Sequence, residues 1–245
     1  MSIPWLESHT PFPPTESALQ DPDGLLACGA DLSTNRLIAA YRQGIFPWYS
    51  DPHPILWWTP SQRMVLQCKN FIVSHSLKKK LRQLAKQEST PSAAIQIKVD
   101  SAFEQTMLAC ASPRQASGSE TWITRDIIDA YTRLHHMGLA HSIETWIDGN
   151  LMGGLYGVSL GKMFFGESMF SFASDSSKLA LAYAVRFLEK HGVSWIDCQQ
   201  QTAHLASLGA APVTRNQFMA HLQATVTLPP LPWQTGILRA DGNIH

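Results

Sequence analysis

The sequence predicts an α+β fold in which a small N-terminal domain, residues 1–62, precedes a larger domain, residues 63–245. The first segment is rich in Pro and Trp and carries one clear helix, which Ser33 caps and Gly44 ends. The second contains a β-meander, with Asp148-Gly149 as a hairpin-turn signal. An amphipathic helix over residues 176–190, a strand that reaches Asp197 and a last helix near residues 216–224 follow this meander.

The elements before the meander follow from local patterns. Residues 63–73 and 92–99 alternate as strands, residues 76–86 carry an apolar stripe at helical spacing, and residues 101–111 and 125–137 read as helices. In the meander we predict strands over residues 141–147, 151–160 and 163–165. Strands, helix, strand, helix in this order is typical of the later half of an acetyltransferase-type fold, and this analogy alone defines no chemistry.

Composition narrows the function classes. The formal net charge is zero and 16% of the residues are charged, so a general attraction to nucleic acid is absent and any such contact needs a local patch. One exists: from Lys69 to Lys86 there are six Lys or Arg and no acid. Such a run is ordinarily a solvated helix face.

The four cysteines are scattered without a CxxC pair, which argues against a zinc knuckle or a dithiol redox motif. We expect no metal and no cofactor, and a reducing cytoplasm is the simplest compartment. The N-terminus does not resemble a signal peptide, and no apolar run approaches the roughly 18–20 residues of a membrane span.

Two segments carry candidate chemistry, residues 166–171 and 197–199. Glu167 lies among phenylalanines, and a buried carboxylate is costly unless it is paired or hydrogen-bonded. Asp197 and Gln199 are two apart in a strand, so we expect both to face one space, which Glu167 faces too. The alternatives are turn or cap chemistry for the Asp/Gln pair and a structural hydrogen-bonding role for the glutamate.

Seven motifs can be recognised, at residues 44–48, 57–58, 121–125, 141–144, 166–171, 197–199 and 206–210. They occur in the order seen in bacterial leucyl/phenylalanyl-tRNA–protein transferases. The similarity to this family runs from about residue 10 to 225. The resemblance implies a small N-terminal domain plus a larger acetyltransferase-like (GNAT-like) domain. It also implies a cytoplasmic enzyme that moves Leu or Phe, and also Met, from aminoacyl-tRNA to the N-terminal Arg or Lys of proteins, marking them for N-degron degradation.

The resemblance assigns roles to particular residues. Glu167, Asp197 and Gln199 are expected to hold the acceptor and the reaction centre. Trp48 and Trp122 resemble the residues that pack near the 3′ adenosine and the aminoacyl end. The side-chain pocket is expected to be lined by Leu155, Phe164, Met169, Leu181, Leu188 and Ile196. The basic helix is expected to contact tRNA through Lys78, Lys79, Lys80, Arg82 and Lys86.

The implied reaction is aminolysis of an activated ester, in which positioning alone can contribute roughly 7–11 kcal/mol. A Gln amide is no base, so Gln199 is read as a hydrogen-bond acceptor that aims the amine. Asp197 would orient Gln199, or take the proton if burial raises its pKa. Glu167 is the natural partner of a cationic side chain or of the ammonium group.

Two rival functions remain. A coenzyme A-dependent N-acetyltransferase would need a glycine-rich loop that binds the pyrophosphate of coenzyme A, and residues 115–120 match only half of such a motif. A non-catalytic tRNA-binding protein would account for the basic helix but not for the three polar site residues together. Leu155 and Leu188 differ from residues that occur in the family, which leaves the preference between Leu and Phe open.

Overall fold

The computed structural model describes residues 3–50, 52–88, 90, 93–116 and 121–245. The strands are, in chain order, β1 (Trp5–Leu6), β2 (Leu25–Gly29), β3 (Phe46–Pro47), β4 (Leu56–Trp58), β5 (Gln62–Gln67), β6 (Ile95–Val99), β7 (Ala140–Ile147), β8 (Asn150–Leu160), β9 (Met163–Ser171), β10 (Trp195–Gln199), β11 (Ala211–Thr214) and β12 (Gly236–Ile237). The helices are α1 (Thr34–Arg42), α2 (His75–Gln87), α3 (Phe103–Ala116), α4 (Arg125–His136), α5 (Ser176–Lys190), α6 (Ala203–Ser207) and α7 (Arg215–Thr225), with short 3₁₀ turns at Thr15–Ser17 and Cys68–Asn70.

The N-terminal part forms a small sheet in the order β1-β2-β4-β3, with α1 beside it. The Ser33 hydroxyl accepts a hydrogen bond from the Arg36 amide at the start of α1, as predicted for a cap. The prolines of residues 46–60 keep β3 and β4 short. Trp48 and Tyr49, which follow β3, therefore remain on irregular backbone.

The large sheet has the order β11-β5-β10-β9-β8-β7-β6-β12. Adjacent strands in this sheet pair antiparallel, except that β9 and β10 run parallel. Helix α5 connects these two strands in the chain. The large sheet begins at Gln62, next to the predicted domain boundary. The α+β class, with a small N-terminal domain followed by a larger one, is confirmed.

Helices cover both faces of the large sheet. On one face α2 and α5 pack in an apolar core that includes the predicted stripe Leu77, Leu81 and Leu84. On the other face the apolar core joins α3, α4 and the N-terminal part, with Leu37, Tyr41 and Tyr131 buried in it. The N-terminal part is thus fixed against the second domain by a shared core.

Most predicted elements are present, and the differences have local causes. Strand β9 runs to Ser171 rather than residue 165, because its pairing with β8 continues to Gly153. Helix α3 starts at Phe103 rather than at residue 101, because the backbone N–H groups of Ser101 and Ala102 donate to the Glu144 carboxylate. The strand predicted over residues 92–99 begins at residue 95, and residue 92 lies outside the described residues.

The C-terminal segment closes one edge of the large sheet. Strand β12 pairs antiparallel with β6, and the Trp233 indole N–H donates to the Ser159 hydroxyl at 3.0 Å. The Trp233 ring also stacks on His141, with ring centroids 4.3 Å apart. In the described parts of the chain, no helix combines the length and the apolar character needed to cross a membrane.

Candidate active site

A cavity of about 690 Å³ is lined by residues 46–50, 53, 56 and 58 of the N-terminal part and by residues of β9 and β10. The parallel ladder of these two strands pairs Ile196 with Phe164 and Asp197 with Phe165. Beyond this point both strands are irregular. Glu167 is the extra residue of a bulge against β8, and Cys198 is the extra residue of a bulge against β5. Bulges commonly re-aim side chains beside functional sites, and here Glu167, Cys198 and Gln199 all line the cavity.

Glu167 is held by three side chains. Its Oε1 accepts the Tyr41 hydroxyl at 2.7 Å and the Gln199 amide at 3.0 Å, and its Oε2 lies 3.5 Å from the Tyr131 hydroxyl. The two tyrosine hydroxyls also share a short hydrogen bond. The side chain borders the cavity and so is partly accessible, but its carboxylate is held deep in the protein. Burial raises the pKa of Glu167 to about 8, against the opposing effect of the Tyr41 hydrogen bond.

Asp197 is fully buried and paired with Arg63. The Arg63 Nε donates to Oδ1 at 2.8 Å and its Nη2 donates to Oδ2 at 2.7 Å, a bidentate geometry. The remaining Arg63 nitrogen, Nη1, donates to the Gly44 carbonyl at 3.1 Å. The guanidinium carbon lies over the rings of Phe46 and Phe218, at 4.6 and 4.7 Å from their centroids.

Gln199 ends β10 in a left-handed backbone conformation, with φ of +54°. Its backbone N–H donates to Oδ1 of Asp197 at 2.9 Å, an Asx-type turn that stabilises this conformation. Because Cys198 is an added residue, Gln199 lines the cavity while Asp197 lies behind it against Arg63. The expectation that Asp197 and Gln199 face one space is corrected in this respect.

Most of the predicted site residues come together in this cavity. Its lining includes Glu167, Gln199, Trp48, Trp122, Leu155, Phe164, Met169, Leu181 and Ile196. Leu188 is fully buried in the core and lies outside the lining, since the helix α5 presents Leu181 and Ala184 to the cavity instead. Cys198 also lines the cavity, and burial raises the pKa of its thiol to about 12, which keeps it un-ionised near neutral pH.

The basic helix is α2, which lies apart from the cavity lining. Lys78, Lys79, Arg82 and Lys86 are exposed, as a solvated or a nucleic-acid-binding face requires. Lys80 instead donates to Asp175 at 2.7 Å and is half-buried. Four of the five predicted tRNA-binding residues are therefore free to meet a partner's phosphates.

Three site residues were missed by the sequence reasoning. Arg63 carries a weak signal, because it is a charged residue directly before the apolar run Met64-Val65-Leu66 of β5. Tyr41 and Tyr131 carry none, since their positions in α1 and α4 read as ordinary core positions. They reach Glu167 because the N-terminal part packs on α4, a long-range contact that helical spacing does not reveal.

Asp100, His135 and His141 form a further cluster of potential metal ligands. The Nδ1 of His141 lies 2.7 Å from Asp100, and the Nδ1 of His135 lies 2.9 Å from the Ala140 carbonyl. Both nitrogens thus face oxygen acceptors and carry hydrogens in these contacts, which makes them hydrogen-bond donors rather than metal ligands. The His141 Nε2 also faces the carbonyl of Gly138, at 3.1 Å.

The sequence matches a family model described as leucyl/phenylalanyl-tRNA protein transferase over residues 65–223. A second model, for the N-terminal domain of the same transferase, matches residues 30–61. The leucyl/phenylalanyl-tRNA–protein transferase of Bordetella avium is 58% identical over 244 residues, covering 100% of this chain and 97% of the relative. That of Janthinobacterium sp. is 53% identical over 236 residues, covering 95% and 96%. The chain belongs to the leucyl/phenylalanyl-tRNA–protein transferase family, and the family prediction is confirmed.

Solved structures of lower similarity also match. The L-PGS structure from Bacillus licheniformis is 8% identical with a TM-score of 0.39, covering 73% of this chain and 54% of that one. A GCN5-related N-acetyltransferase from Kribbella flavida is 11% identical with a TM-score of 0.36, covering 72% and 59%.

Proposed function

We propose that this protein transfers Leu or Phe, and also Met, from aminoacyl-tRNA to the N-terminal Arg or Lys of acceptor proteins. The products are marked for degradation by the N-degron route, in the cytoplasm. The observation that carries the proposal is the meeting of an apolar pocket and the Glu167–Gln199 pair in one cavity. Family membership supports the aminoacyl-transfer reaction over coenzyme A-dependent acetylation and over tRNA binding without catalysis.

The aminoacyl side chain occupies the apolar part of the cavity. Leu155, Phe164 and Ile196 are almost fully buried and form dense walls, while Met169 is partly accessible and adaptable. Burial in such walls is worth roughly 0.8 kcal/mol per methylene. Trp48, which is 39% exposed, lies at the cavity margin and provides a flat surface for the terminal nucleoside.

The acceptor binds on the polar side. Glu167 is the carboxylate among the described lining residues, so it meets the ammonium or the cationic side chain of the acceptor. Its pKa of about 8 lies close to the reference range of an α-amine, about 7.7–8.0. Because these pKa values match, the ionised fraction of Glu167, which grows as the pH approaches 8, takes a proton from the ammonium at little free-energy cost and leaves the amine free to attack.

In the bond-forming step the amine nitrogen attacks the ester carbonyl carbon. A peptide bond forms, the bond from that carbon to the ribose 3′ oxygen breaks, and the proton that the attacking nitrogen loses passes to the 3′ oxygen, which leaves as a hydroxyl. Gln199 donates its amide hydrogen to Glu167, which leaves its carbonyl oxygen as the acceptor that aims the amine. Asp197 orients Gln199, since N–H donors of Arg63 and Gln199 occupy its oxygens.

The test is transfer of radiolabelled Leu from Leu-tRNA to a protein with N-terminal Arg, scored as label in protein. The same protein with N-terminal Glu is the matched control, and we expect label in the Arg form alone. Tight tRNA binding without transfer would favour the binding-protein alternative. Saturable acetyl transfer from acetyl-coenzyme A to the same acceptor would favour the acetyltransferase.

A further inference from the structure

We propose that Arg63 is a positioning residue of the transfer reaction, which acts on Gln199 through Asp197 and ties that geometry to the N-terminal domain. The inference rests on the proposed function. Arg63 lies outside the cavity lining and is 1% exposed, so it does not touch either substrate. Its influence on the reaction must pass through the groups it holds.

The first of these groups is the Asp197 carboxylate. The Nε and Nη2 of Arg63 donate to the two different oxygens of the carboxylate, and two donors on one rigid group fix the rotation of the carboxylate as well as its position. An ammonium group binds as a point donor and does not fix this rotation. Lys at position 63 would keep the charge and lose the orientation.

The second is the turn at Gln199. A left-handed backbone is unfavourable for a residue other than Gly, so it requires support from its surroundings. That support comes from the Asp197 Oδ1 atom, which accepts the Gln199 backbone N–H at 2.9 Å while it also accepts Arg63 Nε. A rotated carboxylate would release the turn, and the Gln199 amide would lose its direction toward Glu167.

The third is the backbone carbonyl of Gly44, which accepts the remaining guanidinium nitrogen. Gly44 lies between α1, which carries Tyr41, and β3, which leads to Trp48. The guanidinium also packs on the rings of Phe46, from the N-terminal domain, and Phe218, from α7. A single buried side chain thus fixes the N-terminal segment and the turn that presents Gln199.

The experiment compares Arg63→Lys with wild type under single-turnover conditions, with excess enzyme, charged tRNA and a protein with N-terminal Arg. We expect the transfer rate to fall about tenfold or more, because a misplacement of about 1 Å can cost about 100-fold. The Kd for charged tRNA and the KM for the acceptor should stay within about twofold of wild type. A transfer rate within about twofold of wild type, or a loss confined to tRNA binding, would overturn the proposal.

Arg36→Lys is the matched control. Arg36 is also a buried arginine, which stacks on Phe12 and donates to the carbonyls of Glu7, Ser8 and Thr10 in the N-terminal part, away from the cavity. It should lower thermal stability and leave the transfer rate unchanged. Equal rate losses in both variants would reduce Arg63 to a structural residue.

If Arg63→Lys does not fold, Phe218→Leu serves as the second variant, since it loosens the packing on the guanidinium without removing a charge. We expect it to lower the transfer rate several-fold at unchanged tRNA affinity, and an unchanged rate would contradict the proposal. A wild-type protein that transfers no label would contradict the proposed function itself. Wild-type transfer together with an undiminished rate in the variants would contradict the role of Arg63 alone.

Discussion

The side-chain amide of Gln199 donates a hydrogen bond to Oε1 of Glu167 at 3.0 Å, and this contact joins bulged segments of two parallel strands. The Glu167 bulge lies in the pairing of β9 with β8, and the Cys198 bulge lies in the pairing of β10 with β5. The ladder between β9 and β10 ends at the pair Phe165 and Asp197. The side-chain contact between Glu167 and Gln199 therefore spans the two strands just beyond the point where their main-chain pairing stops.

We predict that Gln199→Ala slows single-turnover transfer by about 100-fold, because the amine loses the acceptor that aims it. Affinity for charged tRNA should stay within about twofold, since the basic helix lies elsewhere. Gln201→Ala is the control: Gln201 is exposed, lies two residues further on and is outside the cavity lining, so it should leave the rate unchanged. A near-normal rate in Gln199→Ala would show that the amide does not direct the amine.

The sequence was sufficient for most of the secondary structure, and five of the six apolar residues that the resemblance assigned to the pocket line the cavity. Local signals such as the Ser33 cap and the Asp148-Gly149 turn determine elements directly, and both are present as predicted. The placement of Asp197 failed because the extra residue Cys198 changes the side-chain alternation, and such a bulge leaves no periodic signal in the sequence. Leu188 was expected at the pocket, but the choice between the two faces of α5 depends on packing that periodicity alone does not show.

The ionisation of Glu167 should make stability depend on pH. Its pKa is 4.5 in an unfolded chain and about 8 when folded. Below about pH 4.5 it is protonated in both states, and between about pH 4.5 and 8 the unfolded chain alone loses the proton. Its contribution therefore falls as pH rises through this window, by at most about 1.4 kcal/mol per pH unit, and is lost above it.

Glu167→Gln removes the titration and keeps the shape. We predict that its free energy of unfolding, relative to wild type, increases between pH 5.5 and pH 8, as measured by urea denaturation at both pH values. Glu104→Gln, at an exposed position, should show a smaller change. A Glu167→Gln difference that is constant with pH would mean that the carboxyl is ionised throughout this range in the folded protein.

The exposed lysines of α2 should set the salt dependence of tRNA binding. Replacing Lys78, Lys79 and Arg82 by Gln should reduce the slope of log affinity against log salt by up to about 0.7–0.9 per lost phosphate contact. Lys80→Gln is the internal control, because Lys80 is engaged with Asp175 and should change the slope less than Lys79→Gln does. An unchanged slope in the triple variant would leave α2 as a solvated helix face.

The apolar walls should select the transferred amino acid by shape and polarity. With one tRNA body charged with Leu, Phe, Met, Ile or Ser, we expect transfer of the first three and strong rejection of Ser, which finds no partner in these walls.

Leu155→Val enlarges the cavity by about one methylene, a change that discriminates by roughly 1–3 kcal/mol, so the Phe-to-Leu ratio should rise several-fold. Leu188→Val, the same change in the core of α5, should lower stability by about 1 kcal/mol and leave the ratio unchanged. Competition between Leu- and Phe-charged tRNA measures both ratios. Transfer of Ser as efficient as that of Leu would show that the enzyme reads the tRNA rather than the side chain, and an equal shift in both variants would remove Leu155 from the pocket.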